Sequence, residues 1–252
     1  MFRSVRRSRE PFAADYLRSL VSYSNVRRAA LIRDHAGVES ALQRFWEGAS
    51  GDRYHSRHRR ARYRHFLEHH AELCEVLRAS VRADPGRYQR LVELGCGDGH
   101  VLCYAAGRLP ELKGFIGIDL NARAIDEASR AIDANSLRFL KDNAFTWLSR
   151  HAEPGTVALT AGGMLEYACQ ETVVEFLQTL SQAHPSALAI IEPLDPAHDI
   201  EGDPDSRLFG RHTSFSHAYP ALVSAAGFRI TWSRETEEGG IRWLLLLAES
   251  RA

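Results

Sequence analysis

Glycines alternate with acidic and small residues in one short stretch of the chain. Residues 93–99 read Glu-Leu-Gly-Cys-Gly-Asp-Gly; they follow the apolar pair Leu91-Val92, and an apolar-periodic stretch begins at Val101. This order predicts a strand, a glycine turn and a helix start, an arrangement that brings backbone N–H groups close to a nucleotide-type ligand. Because glycine has no Cβ, the chain can turn sharply there and a ligand can lie against the backbone.

A further acidic residue has the spacing expected for the same ligand. The next predicted strand contains Asp119, which lies 22 residues beyond Gly97. An acidic side chain at the end of such a strand can bind the two hydroxyls of a ribose. The spacing disfavours a dinucleotide, because a G-x-G-x-x-G fingerprint needs glycine at position 100, where His100 stands.

The elements after the glycines predict a doubly wound α/β fold. Strand and helix patterns alternate at short intervals, which favours a mostly parallel sheet with helices on both faces. Only Glu237-Glu238-Gly239-Gly240 separates the last two strands, so these must form an antiparallel hairpin. We predict strands near 90–95, 115–120, 137–141, 156–161, 187–192, 228–235 and 241–249, and helices near 99–109, 122–134, 143–151, 170–183 and 215–226.

The acidic-x-Gly-x-Gly-x-Gly pattern resembles that of class I S-adenosylmethionine-dependent methyltransferases, from about residue 88 to the end of the chain. The resemblance implies a Rossmann-like seven-stranded sheet and S-adenosyl-L-methionine as cofactor. By position, it implies that the glycine loop lies against the methionine part, that Asp119 binds the ribose and that Asp142 contacts the adenine. Glu93 would hold the loop or the amino group of the cofactor. The expected cofactor-binding set is Glu93, Gly95, Cys96, Gly97, Gly99, Asp119, Leu120, Asp142, Asn143 and Ala161.

The first third of the chain predicts helices: one from Pro11, a second near 38–47 and a third near 55–82. We expect a helical cap over residues 1–87 and a methyltransferase domain over 88–252. In the family, N-terminal helices often fold over the cofactor and shape the acceptor pocket. This implies acceptor roles for the aromatic residues of the cap, although each also fits plain packing: Tyr16, Tyr23, Tyr54 and His55.

Charge is unevenly distributed along the chain. Residues 1–90 hold 19 Arg and 10 acidic residues, a net +9, whereas residues 91–252 hold 13 Arg plus Lys and 22 acidic residues, a net −9. The densest basic segment is 53–64. It is compatible with a nucleic-acid surface, a solvated helix face, contact with the acidic half, or an oligomer surface such as that of a homodimer.

Methyl transfer needs the nucleophile and the methyl group in line and, where the nucleophile is protonated, a group that removes the proton. We expect catalytic groups after the fourth and fifth strands and before the last helix: Glu166, Glu192 and His217. The alternatives are that Glu166 lies in water, that Glu192 binds backbone donors, and that His217 faces a helix that Ser214 or Ser216 caps. Tyr167, His198 and Tyr219 complete the expected substrate-binding residues, with Tyr16 and Tyr23.

Acidic residues surround His198, at positions 195, 199, 201, 203 and 205. The paired acidic motif of metal-dependent O-methyltransferases is missing, so we expect no metal. Carboxylates around a pocket favour a cationic or amine-bearing acceptor. With the resemblance, we expect a methyltransferase acting on an N or O nucleophile of a small-molecule metabolite, with an amine or guanidine and a hydroxylated molecule both left open as acceptors. The alternatives are an RNA or other nucleic-acid methyltransferase that uses the basic helix, and a non-catalytic S-adenosylmethionine-binding protein.

The composition is that of a soluble globular protein: 252 residues, 44% hydrophobic and 25% charged. The sequence contains neither an apolar stretch of the roughly 18 residues that cross a membrane nor a signal-peptide segment, so we expect a cytoplasmic protein. The four cysteines, at 74, 96, 103 and 169, lack C-x-x-C spacing, which argues against a disulfide framework or a cysteine-based zinc site.

Overall fold

Two sheets lie in the part of the chain that the computed structural model describes, namely residues 24–132, 136–210 and 213–251. In chain order the strands are β1 (Arg90–Leu94), β2 (Gly114–Asp119), β3 (Leu137–Lys141), β4 (Thr156–Thr160), β5 (Ser186–Leu194), β6 (Arg207–Phe209), β7 (Ser214–Ser216), β8 (Phe228–Glu238) and β9 (Ile241–Ser250).

The main sheet has the order β3-β2-β1-β4-β5-β9-β8. Strands β1 to β5 pair in parallel, whereas β9 is antiparallel to both β5 and β8. Gly239 and Gly240 join β8 to β9 with φ of +60° and +77°, the two positive values that a tight hairpin turn of this kind requires. The predicted doubly wound sheet and its final antiparallel hairpin are therefore confirmed.

The helices begin with residues 24–31 (α1). They continue with α2 (His35–Glu47), α3 (Ala49–His65), a π-helical turn (Phe66–His70), α4 (Glu72–Ala83), α5 (His100–Arg108), α6 (Ala122–Ala131), α7 (Ala144–His151), a 3₁₀ turn (Leu165–Tyr167), α8 (Gln170–Gln182) and α9 (Tyr219–Ala225). No helix within the described ranges has both the length and the apolar character needed to cross a membrane. The helix expected from Pro11, with Tyr16 and Tyr23, lies outside the described residues.

Two predicted helices differ from the structure. The helix expected near 55–82 is divided by the π-helical turn Phe66–His70. The helix expected near 215–226 begins only at Tyr219, because Ser214–Ser216 pairs with Arg207–Phe209 as a short antiparallel ribbon. The prediction that Ser214 or Ser216 caps a helix at this place was wrong.

Both faces of the sheet are buried under helices. One face packs against α7, α8 and α9, and the other against α4 and α5, where Leu77 and Leu102 share a cluster with Leu91 of β1. Helix α4 thus belongs to the hydrophobic core of the sheet although it precedes residue 88. The predicted domain boundary at residues 87 and 88 stays a prediction.

Asn121, directly after β2, links the first helices to the sheet. Its side chain is fully buried, and its Oδ1 accepts a hydrogen bond from the Ala124 N–H at 2.8 Å, which caps α6. Its Nδ2 donates to the Trp46 carbonyl at 3.0 Å and to Asp52 Oδ1 at 2.8 Å. One amide side chain therefore begins a helix and holds α2 and α3 in place.

Asn121→Ala should cost clearly more stability than the matched change Asn143→Ala. Asn143 caps α7 by accepting a hydrogen bond from the Thr146 N–H, but among the described residues its side chain has no hydrogen bond to α2 or α3. Loss of a cap costs about 1 kcal/mol, and loss of the hydrogen bonds to the half-buried Trp46 and Asp52 adds about 0.5–1.5 kcal/mol each. Urea unfolding followed by circular dichroism measures both; equal losses in the two variants would contradict the proposed link.

Candidate functional site

A cavity of about 400 Å³ opens at the carboxyl ends of β1 to β4. The sheet side of its lining includes Glu93, Asp119, Asp142 and Ala161, and α3 supplies much of the opposite wall. This is the position at which parallel α/β sheets bind ligands. A cavity of this size lies within the range that encloses small organic ligands.

The glycine loop is held by the end of β2. Gly95 and Cys96 donate their N–H groups to the Ile118 carbonyl, and the Gly97 N–H donates to Asp119 Oδ2 at 2.8 Å. Of the three glycines, only Gly95 lines the cavity. Gly95, Cys96 and Asp98 of the loop thus line the cavity, whereas Gly97 and Gly99 pack against the protein.

Gly97 and Gly99 are needed for packing. A Cβ at Gly97 would lie 3.2 Å from the His55 ring, and one at Gly99 would lie 2.4 Å from the Phe139 ring. Both also have positive φ, of +53° and +74°, which disfavours any side chain. The sequence predicted direct ligand contact for both positions, whereas the structure gives them close neighbours from α3 and β3.

Glu93 is a buried carboxylate with an unused acceptor. It is 2% exposed, and its Oε2 has no hydrogen-bond partner among the described residues. Burial raises its pKa well above the usual range, and the nearby carboxylates of Asp98 and Asp119 raise it further. A buried acidic group of this kind is stabilised by a cation placed beside it.

Asp119 and Asp142 stand at the ends of β2 and β3 and line the same cavity. Asp119 accepts from the N–H groups of Gly97 and Asn121, both at 2.8 Å. Asp142 Oδ1 accepts from the Asn143 N–H at 2.8 Å. Since a carboxylate has about four lone-pair sites, both side chains keep acceptors for a ligand's hydroxyl or amino groups.

The wall formed by α3 is basic and lies over the acidic rim. Arg59 is 3.0 Å from the Asp98 carboxylate and also pairs with Glu127. Arg62 donates to His55 Nδ1 at 3.1 Å and lies over the Tyr54 ring, and burial lowers the pKa of His55. Contact between the basic and acidic halves of the chain therefore explains part of the positive charge of segment 53–64.

Aromatic rings form another part of the wall. The Trp46 indole lies 5.0 Å, centroid to centroid, from both Tyr54 and Tyr167. All three rings line the cavity, as does Trp243 of β9. The sequence did not predict Trp46 and Trp243 as lining residues, because their positions depend on how distant elements pack. The lining residues of α3 recur on one face of that helix, and this periodicity could have been read from the sequence.

Glu166 and Tyr167 occupy the turn after β4. Tyr167 lines the cavity, whereas Glu166 lies behind it. Burial raises the pKa of Glu166 to about 7; hydrogen bonds with Ser214 and Tyr167 oppose the shift, and the Glu192 carboxylate adds to it. Burial also raises the pKa of Tyr167 well above its usual value, so the phenol is neutral.

Glu192 is occupied with the backbone. It is fully buried in β5 and accepts from the N–H groups of Met164 and Leu165 at 3.1 Å and of Glu166 at 3.3 Å. It does not line the cavity. The alternative that Glu192 binds backbone donors is thus the arrangement found, and its effect is to fix the turn that carries Tyr167.

The remaining expected residues lie outside the cavity lining. His217 is buried between the Ser206 hydroxyl and the Leu165 and Ala168 carbonyls, and burial lowers its pKa to about 4. His198 lies between Ser216 Oγ and the Asp203 carbonyl, and the Tyr219 hydroxyl faces Glu192 at 3.5 Å. The acidic loop around His198 also contributes nothing to the lining, so its carboxylates do not surround this cavity.

No protein-family model matches the chain, and no curated protein matches its sequence. Solved structures do match its fold. Magnesium protoporphyrin IX methyltransferase from Synechocystis PCC 6803, solved with bound SAM, is 14% identical over 84% of this chain and 97% of that chain, with a TM-score of 0.58.

Two further structures are similar. The 1,6-didemethyltoxoflavin-N1-methyltransferase of Burkholderia thailandensis, with bound S-adenosylhomocysteine, is 15% identical, covers 99% of both chains and has a TM-score of 0.52. The cyclase SpnF is 14% identical over 72% of this chain and 81% of that chain, with a TM-score of 0.55. At these identities the likeness shows the fold alone: the Rossmann-like fold of S-adenosylmethionine-dependent methyltransferases, which a cyclase also has.

The free energy of unfolding should report the Glu166 environment. A folded-state pKa of about 7 against an ordinary 4.5 means that the folded protein binds a proton more readily than the unfolded chain, so Glu166 lowers stability as pH rises between these values. Glu166→Gln should therefore gain stability relative to the wild type over this range in urea titrations.

The matched control is Glu171→Gln. Hydrogen bonds lower the pKa of the Glu171 carboxyl, so its contribution to the free energy of unfolding changes only below pH 4.5. The stability of this variant should therefore follow that of the wild type between pH 4.5 and 7. Parallel curves for Glu166→Gln and the wild type would show that the Glu166 side chain is not buried as described.

Proposed function

We propose that the protein is an S-adenosylmethionine-dependent methyltransferase that methylates an N or O atom of an aromatic small molecule. The observation that carries this proposal is the buried Glu93 carboxylate, whose Oε2 has no hydrogen-bond partner among the described residues and which shares one cavity with Asp119 and Asp142. Three acidic groups at the ends of neighbouring strands fit a ligand that combines an ammonium group with a ribose and an amino-bearing ring. S-adenosylmethionine has all three.

Each acidic residue has a role in this proposal. Glu93 pairs with the ammonium group, Asp119 accepts from the ribose hydroxyls, and Asp142 accepts from the adenine amino group. Gly95 and Cys96 let the methionine part lie against the loop backbone. When bound, the cofactor supplies an electrophilic methyl group on a sulfonium sulfur. Cofactor-bound methyltransferases of the same fold support the assignment.

The other lining residues favour a flat and acidic acceptor. Trp46, Tyr54 and Tyr167 offer ring faces and edges against which an aromatic molecule can pack. Arg62, whose guanidinium lies over the Tyr54 ring, places positive charge beside them, which favours a phenol, a carboxylate or an acidic heterocycle over an amine. This replaces the cationic acceptor that the acidic loop suggested, because that loop lies elsewhere.

Tyr167 and Glu166 are the groups that we assign to proton transfer. Tyr167 lines the cavity, and a hydrogen bond connects its hydroxyl to the Glu166 carboxylate. A base whose pKa lies near the working pH is the most effective at accepting a proton, and Glu166, with a pKa of about 7, meets this requirement. The acceptor's proton would pass through the Tyr167 hydroxyl to Glu166.

The first test is titration calorimetry with S-adenosylmethionine, S-adenosylhomocysteine, NAD and NADP. We expect the first two alone to bind, at micromolar level. Asp142→Ala should weaken their binding by at least about 10-fold, the loss of one charge-assisted hydrogen bond. Asp126→Ala is the control, because Asp126 is exposed on α6 and does not line the cavity. Binding of NAD, or equal affinities in both variants, would overturn the cofactor assignment.

The second test is transfer of labelled methyl from the cofactor to a panel of phenols, aromatic carboxylates, heterocycles and aliphatic amines. With the acceptor found, Tyr167→Phe and Glu166→Gln should each lower kcat by about 10²-fold or more while cofactor affinity stays within about 2-fold. Tyr104→Phe, on α5 and outside the lining, is the control. Label confined to aliphatic amines would contradict the acceptor class, and unchanged kcat would remove the pair from catalysis.

A further inference from the structure

A second cluster of titratable side chains lies where the end of α3 meets the β8–β9 hairpin. His65, His69 and Glu238 each offer one ligand atom, and these three atoms lie within 4.8 Å of one another. His70 adds a fourth donor, because its Nε2 is 3.2 Å from Glu238 Oε2, while His65 Nε2 is 3.5 Å from the same oxygen. Three imidazoles thus converge on one carboxylate.

The π-helical turn brings the histidines together. In an α-helix, residues 65 and 69 share a face but residue 70 does not, since each residue advances the helix by about 100°. The wider π-helical turn Phe66–His70 lengthens the repeat towards five residues, so His65, His69 and His70 point to the same side. Single π-helical turns of this kind occur frequently at functional sites.

Two atoms of the cluster lack hydrogen bonds. His70 is 1% exposed, and neither its Nε2 nor Glu238 Oε2 has a hydrogen-bond partner among the described residues. They lie close together without the alignment of a hydrogen bond. Polar atoms left without a hydrogen bond away from water destabilise the folded protein. A cation between them would give both a partner.

Trp243 supports the histidine rings from the β9 side. Its indole lies 4.9 Å from the His70 ring and 5.8 Å from the His65 ring, centroid to centroid. An aromatic wall restricts the rotation of both rings and limits the access of water, and such surroundings tune the affinity of a metal site.

We propose that His65, His69 and Glu238, with His70 as an additional donor, bind one divalent first-row transition-metal ion such as Zn²⁺. Imidazole nitrogens with one carboxylate suit zinc, iron, cobalt and nickel, whereas magnesium and calcium prefer all-oxygen ligands. Ligand atoms around zinc lie about 3.4 Å apart in a tetrahedral site. The three ligand atoms lie within 4.8 Å of one another without an ion, so side-chain rotation must bring them closer when one binds.

The ion would lie on the wall of the proposed acceptor space, because His65, His70 and Trp243 also line the cavity. Metal binding itself does not depend on the proposed methyl transfer. The spacing of His65 and His69, four residues apart on a helix, is a metal-ligand signal that the sequence carries but that we did not use in predicting an absence of metal.

The test uses the full chain after treatment with a chelator. Zn²⁺ is titrated by calorimetry, and Co²⁺ by the visible absorption of its coordinated state. We expect one ion per chain, no heat with Mg²⁺, and a loss of affinity of more than about 10-fold in His65→Ala, His69→Ala and Glu238→Gln. His151→Ala is the matched control, because His151 lies on α7 and packs on Trp147, away from the cluster.

His69 is exposed, so its replacement should leave the fold intact, which circular dichroism checks. Equal Zn²⁺ affinity in His69→Ala and the wild type, or no stoichiometric binding by the wild type, would overturn the proposal. Binding of S-adenosylmethionine is measured on the same samples without metal. If S-adenosylmethionine binds but Zn²⁺ does not, the metal site is overturned and the methyltransferase assignment stands. If Zn²⁺ binds but S-adenosylmethionine does not, the metal site stands and the methyltransferase assignment is overturned.

Discussion

The carboxylate of Asp119 is the point on which the site depends. It accepts hydrogen bonds from the N–H groups of Gly97 and Asn121, so a single side chain fixes both the glycine loop and the turn after β2. Asn121 in turn holds the Trp46 carbonyl and Asp52. The same short chain of hydrogen bonds therefore sets the floor of the cavity and the placement of the helices above it.

The basic helix α3 stays over this floor chiefly through buried contacts. The Arg59 side chain is 36% exposed, and ion pairs of such exposure contribute at most about 1 kcal/mol each. The Asn121 amide is fully buried, so breaking its bonds would leave the amide itself without partners and away from water. Packing of Trp46 against Tyr54 and Tyr167 adds apolar contact. The two facing surfaces thus carry opposite charges, but buried contacts contribute most of the free energy that keeps α3 in place.

The sequence predicted those parts of the structure that depend on local residue patterns. The strand–glycine–helix order, the spacing of Asp119 and the short link Glu237-Glu238-Gly239-Gly240 predicted the sheet, the hairpin and the rim of acidic residues. The side of the cavity proposed to bind the acceptor was harder to predict, because Trp46, Arg62 and Trp243 line one cavity only when distant elements pack. His217 and Tyr219 lie outside the cavity lining for a related reason. The Ser-Phe-Ser segment before them is a buried strand paired with Arg207–Phe209, and local propensity does not predict that pairing.

Glu192 shows how the core serves the site without touching a ligand. A fully buried carboxylate is costly, and it is retained in β5 because three consecutive N–H groups, those of Met164, Leu165 and Glu166, need an acceptor at the turn after β4. An amide in its place would offer one oxygen instead of two. The turn is thereby held in one conformation, with Tyr167 on the cavity side and Glu166 behind it. The negative charge of Glu192 also raises the pKa of Glu166. A residue placed for backbone geometry thus helps to set both the position and the proton affinity of the pair that we assign to proton transfer.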